Sequence, residues 1–210
     1  MEPTDAADHI QEVAHDEAEQ RERQRADVDR FRRRAAVLIG VLAMLLAIAS
    51  ISGENSAKEM TNTNILASDT WAFFQAKNIR QTSYQLAVDE LETVLLIEPN
   101  LSPEAKAQIQ QRIDRYKATI ARYDSEPATG EGKKELTERA QAYEKRRDHA
   151  IQQDPNFDLS VAIFQIAIVL GSVSIVATSR RLLWLALGVG AVAFVLLVNG
   201  YLLFSPLPIG

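Results

Sequence analysis

The sequence predicts an all-α membrane protein in which three transmembrane helices carry a long extramembrane antiparallel helical hairpin. Three observations predict it. The apolar residues, 47% of the chain, are concentrated in three runs without charge. The stretch between the first and second runs is charged, rich in Leu, Ala, Glu and Gln, and broken at two places by Pro and Gly. Arginines gather before the first run and between the second and third. A chain of 210 residues has room for one modest extramembrane domain besides the spans.

Residues 1–34 form a charged N-terminal segment. His9 and His15 sit there among Asp8, Glu12 and Asp16. Their six-residue spacing does not bring both imidazoles to one helical face, so the segment reads as a solvated charged helix and no metal site is expected. Arg21, Arg23, Arg25, Arg30, Arg32, Arg33 and Arg34 precede the first span; orienting charge is enough to account for them, and they could also touch anionic lipid head groups.

The first span is residues 35–52, AAVLIGVLAMLLAIASIS. At about 1.5 Å per residue it just crosses a hydrocarbon core of about 30 Å. Ala47-Ile48-Ala49 resembles a signal-peptide cleavage site. The long acid-containing segment before the run argues for an uncleaved anchor instead.

Residues 53–158 form the extramembrane hairpin. From 54 to 97 there is neither Pro nor Gly, and a straight helix would reach roughly 65 Å. Glu98 to Pro103 breaks the pattern, with Ser102 as N-cap and Pro103 in the first turn of a second helix running to about Tyr123. Pro127 to Gly132 interrupts again. A third helix runs from Lys133 to about Gln152, with Pro155 before the second span. The outgoing arm either continues the first span or bends away from it at Gly53.

Steps of 100° give the outgoing arm a broad apolar face. Ala72, Phe73, Ala76, Ile79 and Arg80 are expected to pack inside the hairpin, with Arg80 needing an acidic partner. Trp71 and Phe74 point to a second face, with Met60 near them in angle, and are expected either at a contact with another chain or under the returning helices of their own. A straight helix sets Trp71 roughly 28 Å past the first span, too far for a membrane belt.

The second span is residues 159–178 and the third is residues 182–204, with Arg180 and Arg181 in the tight turn between them and a short tail, 205–210. Arg32, Arg33, Arg34, Arg180 and Arg181 fall on one side of the membrane if the N-terminus is cytoplasmic. The hairpin and the tail are then outside, in the periplasm for a bacterial inner membrane. Lys145, Arg146 and Arg147 run against this assignment, but long loops follow the charge rule weakly. Inside the spans the polar residues of interest are Ser50, Gln165 and Asn199. Ser50 and Gln165 fall at similar depths and are expected to hydrogen-bond between the first two spans. Trp184 and Tyr201 stand at opposite ends of the third span, as interface anchors do.

TWAFFQAKNIR, residues 70–80, resembles the D-x-W-A-Y-Y-Q-A-K stretch of the domain of unknown function 4337 family of bacterial membrane proteins. Thr70 stands before the Trp, and Phe73-Phe74 replace the tyrosine pair. The run FQIAIVLGSVSIVATSRRLLW resembles the family's second span, basic turn and third span. The resemblance implies this same order of segments and brings no established activity with it.

Composition excludes several functions. The chain has no Cys, hence no thiol chemistry or Cys-based zinc site, and its net charge of -5 argues against bulk nucleic-acid binding. Thr129-Gly130-Glu131-Gly132-Lys133-Lys134 fails as a phosphate loop, because neither the spacing nor a preceding strand fits. No nucleophile–base pair is recognisable, so no enzyme, no cofactor and no small-molecule substrate are expected. The expected role is a scaffold or accessory subunit in the lipid bilayer, acting through its hairpin by self-association or with a membrane protein partner. The alternative is a membrane-tethered sensor whose hairpin binds a ligand. A channel or transporter subunit is disfavoured, because the spans carry no charged residue.

Overall fold

A computed structural model describes the chain over residues 3–205, with side chains from residue 19 onward. His9 and His15 lie outside the described side chains. The described residues form four helices: α1, Pro3–Ile97; α2, Pro103–Asp124; α3, Lys133–Val176; and α4, Arg180–Leu202. Three of them, α1, α3 and α4, are long and apolar enough to cross a membrane. The chain divides into two compact units, residues 1–56 with 152–210, and residues 57–151.

α1 stays helical through Gly53, so the outgoing arm continues the first span, and the expected break at Pro155 does not occur, because α3 stays helical there. Proline offers no N–H to the carbonyl four residues back. Here Asn156 Nδ2 donates to the next carbonyl, that of Gln152, at 3.0 Å, and both Asn156 and Phe157 are buried. Tertiary packing thus holds a turn that local preference would open. Arg180 and Arg181 also move: they lie in the first turn of α4, not in the turn before it. That turn closes α3 as a Schellman motif, with the Ser179 amide donating to the Ser174 carbonyl at 3.1 Å. Thr178 takes the left-handed position, φ 48°, which glycine usually fills.

In the first unit the core is Leu42, Ala49, Phe157, Phe164, Ala167, Ala193 and Leu197. Small residues set how closely its helices approach. A Cβ on Gly171 would stand 2.9 Å from Ile39, and one on Gly190 would stand 2.6 Å from Leu42. Phe157 fills a notch made by two glycines: a Cβ on Gly53 would lie 3.4 Å from its Cβ, and one on Gly200 would lie 2.5 Å from its ring. Polar bonds surround that ring. The Ser52 and Tyr201 hydroxyls bond each other, and Asn199 Nδ2 donates to Asn156 Oδ1 at 2.6 Å. Asn199 also holds the chain after α4, through the Ser205 carbonyl and amide.

The expected bond between Ser50 and Gln165 is not formed. Gln165 is exposed and Ser50 half-buried. Their depths match, but their faces do not. Ser160 does bond between helices within the apolar run: its hydroxyl donates to the Ala193 carbonyl at 2.9 Å. The outer surface of this unit is apolar, including Val37, Met44, Val169, Val192 and Val195. Such a surface suits a lipid solvent and not water.

In the second unit α2 and then the start of α3 run back along the outgoing arm of α1. Lys117 pairs with Glu92, Gln81 bonds the Ile120 carbonyl, Lys133 reaches Asn78, Trp71 reaches Glu144, and Arg146 pairs with Glu59. The numbers rise on one side as they fall on the other, which is an antiparallel hairpin. Ser102 caps α2 by accepting from the Ala105 amide at 3.1 Å.

The glycine notch gives a paired prediction. Gly200→Ala should destabilise the purified protein by about 1–3 kcal/mol, because the Phe157 ring has no space to give. Gly188→Ala meets nothing within 4 Å and should leave stability unchanged or slightly raised. Thermal unfolding in detergent compares the two.

Candidate functional site

The sequence gives the hairpin as the part outside the three apolar runs, so its two faces are the candidate site. The covered face of the outgoing arm follows steps of three and four. Met60, Thr63, Ala67, Thr70, Phe74, Lys77, Gln81, Tyr84, Val88, Leu91 and Leu95 are all buried or half-buried. A repeat of 3.5 residues is the seam of two helices packed knobs into holes. Polar members of this seam each find a partner. Thr63 Oγ1 donates to the Glu59 carbonyl at 2.6 Å, and Gln81 Nε2 donates to the Ile120 carbonyl at 3.0 Å.

Lys77 is the charged member. It is 5% exposed, opposite the break between α2 and α3. Its Nζ lies 3.4 Å from Glu131 Oε2 and 3.9 Å from Glu126 Oε2. The rings of Phe73 and Tyr123 stand 5.1 and 5.6 Å from the ammonium. A buried cation is tolerable when it is paired and bonded in this way.

The break is shaped to deliver those acids. Ser125 ends α2, and Gly130 takes φ 68°, a conformation that L side chains resist. Glu135, in the first turn of α3, accepts from the Ser125 hydroxyl at 2.6 Å and from the Glu126 amide at 3.1 Å. Those two bonds, the hydroxyl first, hold its carboxyl below the usual carboxylate range. Gly132 leaves room for this: a Cβ there would collide with the Glu135 carboxylate and the Glu126 amide.

The aromatic cluster is engaged by its own chain. Trp71 Nε1 donates to Glu144 Oε1 at 2.9 Å, and Trp71 meets Phe74 edge to face at 5.5 Å. Phe74 also lies 5.9 Å from the Lys133 ammonium. Trp71, Phe74 and Met60 are half-buried, Phe74 and Met60 on the covered seam and Trp71 beside it.

The residues expected to pack inside the hairpin, Ala72, Phe73, Ala76, Ile79 and Arg80, are exposed, while Tyr84 and Leu91 on the same apolar face are half-buried. This corrects the sequence reading. The hydrophobic face and the covered face of the arm differ, because the covered one carries Thr63, Lys77 and Gln81. Arg80, facing solvent, needs no acidic partner. Lys77 was missed; the signal for it was its position seven residues before Tyr84 and three after Phe74, inside a repeat of 3.5. Of the charged residues beside the apolar runs, Arg32, Arg33, Arg34, Arg180 and Arg181 are all exposed. Among the described residues no three His, Cys, Asp or Glu side chains converge to hold a metal ion.

These features define an all-helical protein with three helices able to cross a membrane and a helical hairpin closed on itself by a buried lysine. The chain belongs to the family described as a domain of unknown function, DUF4337, whose model matches residues 31–203. No curated protein and no solved structure matches it.

Lys77 can be tested by rescue. Glu126→Gln with Glu131→Gln strands the ammonium and should destabilise the hairpin by about 3 kcal/mol. Adding Lys77→Met should restore most of that loss, since no charge is then left buried. Arg80→Met should stay within about 0.5 kcal/mol of the parent. Amide hydrogen exchange across residues 57–151 measures all three.

Proposed function

We propose that the protein is a non-enzymatic scaffold of the bacterial inner membrane, anchored by three spans, with the hairpin as its working surface. The N-terminus is cytoplasmic, and the hairpin and C-terminus are periplasmic. Arg32, Arg33, Arg34, Arg180 and Arg181 support that orientation by the charge rule. The hairpin works by protein–protein assembly, first with a second copy of itself.

One observation carries this reading. The outgoing arm has two seams, and its own chain covers one. The other runs through Ala72, Ala76, Ile79, Ser83 and Leu86, again in steps of four and three, with Ile65 one heptad before Ala72. Ile65, Ile79 and Leu86 are 54%, 67% and 64% exposed. Alanine and serine at the alternate positions permit close approach of another helix. The contact is therefore placed on this seam and not on Trp71, Phe74 and Met60, which serve the hairpin itself.

The chain has no Cys, so single cysteines report cleanly. Ile79→Cys should cross-link to a dimer in native membranes, whereas Ala67→Cys, on the covered seam, should not. Ile79→Asp with Leu86→Asp should reduce the mass measured by light scattering in mild detergent, with the helical signal retained. A parent protein that is monomeric in both experiments would contradict self-assembly.

A further inference from the structure

At the opposite end of the first unit from the Phe157 notch, two helix faces enclose a cleft of about 470 Å³. Asp27, Arg30, Phe31 and Arg34 recur at helical spacing on α1, and Arg180, Leu183 and Trp184 do so on α4. The lining holds three guanidinium groups and one carboxylate. That carboxylate is already used. Asp27 Oδ1 lies 2.6 Å from Arg30 Nη2, and Arg30 Nε donates to the Ala26 carbonyl. Arg34 and Arg180 form no ion pair among the described residues. The cleft therefore presents two uncommitted guanidiniums, the chemical group that pairs with phosphate oxygens. Ser179 makes no side-chain bond to the first turn of α4, which leaves amide donors beside Arg180.

The remaining lining is apolar. Of these residues Phe31 is buried, Leu183 half-buried and Trp184 72% exposed. The uncharged run of α4 begins at Leu182, so the cleft lies where charge gives way to apolar surface. A free phosphate would use the arginines and leave Trp184 idle. A phospholipid uses both.

The geometry points to a site for the headgroup of an anionic membrane lipid, with Arg34 and Arg180 on its phosphate and Trp184 along its glycerol and upper acyl region. This rests on the reading that α1, α3 and α4 cross a bilayer, and the test separates the two. The protein has two Trp, so Trp71→Phe leaves Trp184 as the sole reporter. That variant, with its helical signal checked, is reconstituted into nanodiscs of phosphatidylcholine containing a small fraction of acyl-brominated phosphatidylglycerol or acyl-brominated phosphatidylcholine. The brominated anionic lipid should quench Trp184 at a mole fraction on the order of tenfold lower. Arg34→Gln with Arg180→Gln should abolish that preference, and Arg32→Gln with Arg33→Gln should keep it. Equal quenching by the two lipids overturns the headgroup site while leaving the spans intact. Loss of the preference in millimolar inorganic phosphate assigns the cleft to free phosphate and overturns the lipid. Quenching by neither lipid overturns the bilayer placement and the site with it.

Discussion

A buried ammonium is the constraint on which the hairpin depends. Lys77 lies on the covered seam, and an unpartnered charge there costs several kcal/mol. Acids must come to it, and the return arm supplies them where it is broken, between α2 and α3. The break is therefore more than a gap between two helices. It places Glu126 and Glu131 at 3.9 and 3.4 Å from Nζ, while Glu135 ties its two ends together. Pairs of this kind add little net stability, but an alignment that leaves the cation unpaired is penalised. Sliding α2 and α3 by one turn along α1 would carry Glu126 and Glu131 away from the ammonium. Lys77 thus sets register, and the aromatic and apolar contacts on either side supply the burial.

The first unit solves a different problem with different means. Its surroundings suit lipid, so apolar burial discriminates little between alternative packings. Shape does the work. Phe157 fits only where Gly53 and Gly200 leave space, and the Asn156–Asn199 and Ser52–Tyr201 bonds tie the same level of three helices together. A buried aromatic ring in a glycine notch and a buried cation between carboxylates are both registers, one steric and one electrostatic.

Much of this was legible in sequence. The three apolar runs, the Ser102–Pro103 start of α2 and the interruption after Pro127 are local signals, and each appears in the structure where local chemistry puts it. The covered face was not legible. Summing hydrophobicity at 100° per residue favours Ile65, Ile79 and Leu86, yet the hairpin buries Thr63, Lys77 and Gln81, whose partners lie far away in the chain. Ser50 and Gln165 failed for a related reason, since depth follows from counting while azimuth follows from packing. Pro155 misled as a breaker, because the Asn156 side chain bonds the Gln152 carbonyl beside it and buried packing holds the turn, neither of which local preference shows. The motif that carries the family resemblance gains a physical meaning: its Trp71 and Lys77 both hold the return arm.

The central claim is that the arm buries its mixed seam and leaves its apolar seam open. Single cysteines at Thr63, Ala67, Gln81 and Val88, and at Ile65, Ala72, Ile79 and Leu86, test it in the otherwise cysteine-free chain. Maleimide labelling rates are measured in detergent at a dilution where the chain is monomeric. The first four positions should label slowly and the second four quickly. Slow labelling at Ile65, Ala72, Ile79 and Leu86 with fast labelling at Thr63, Ala67, Gln81 and Val88 would contradict it.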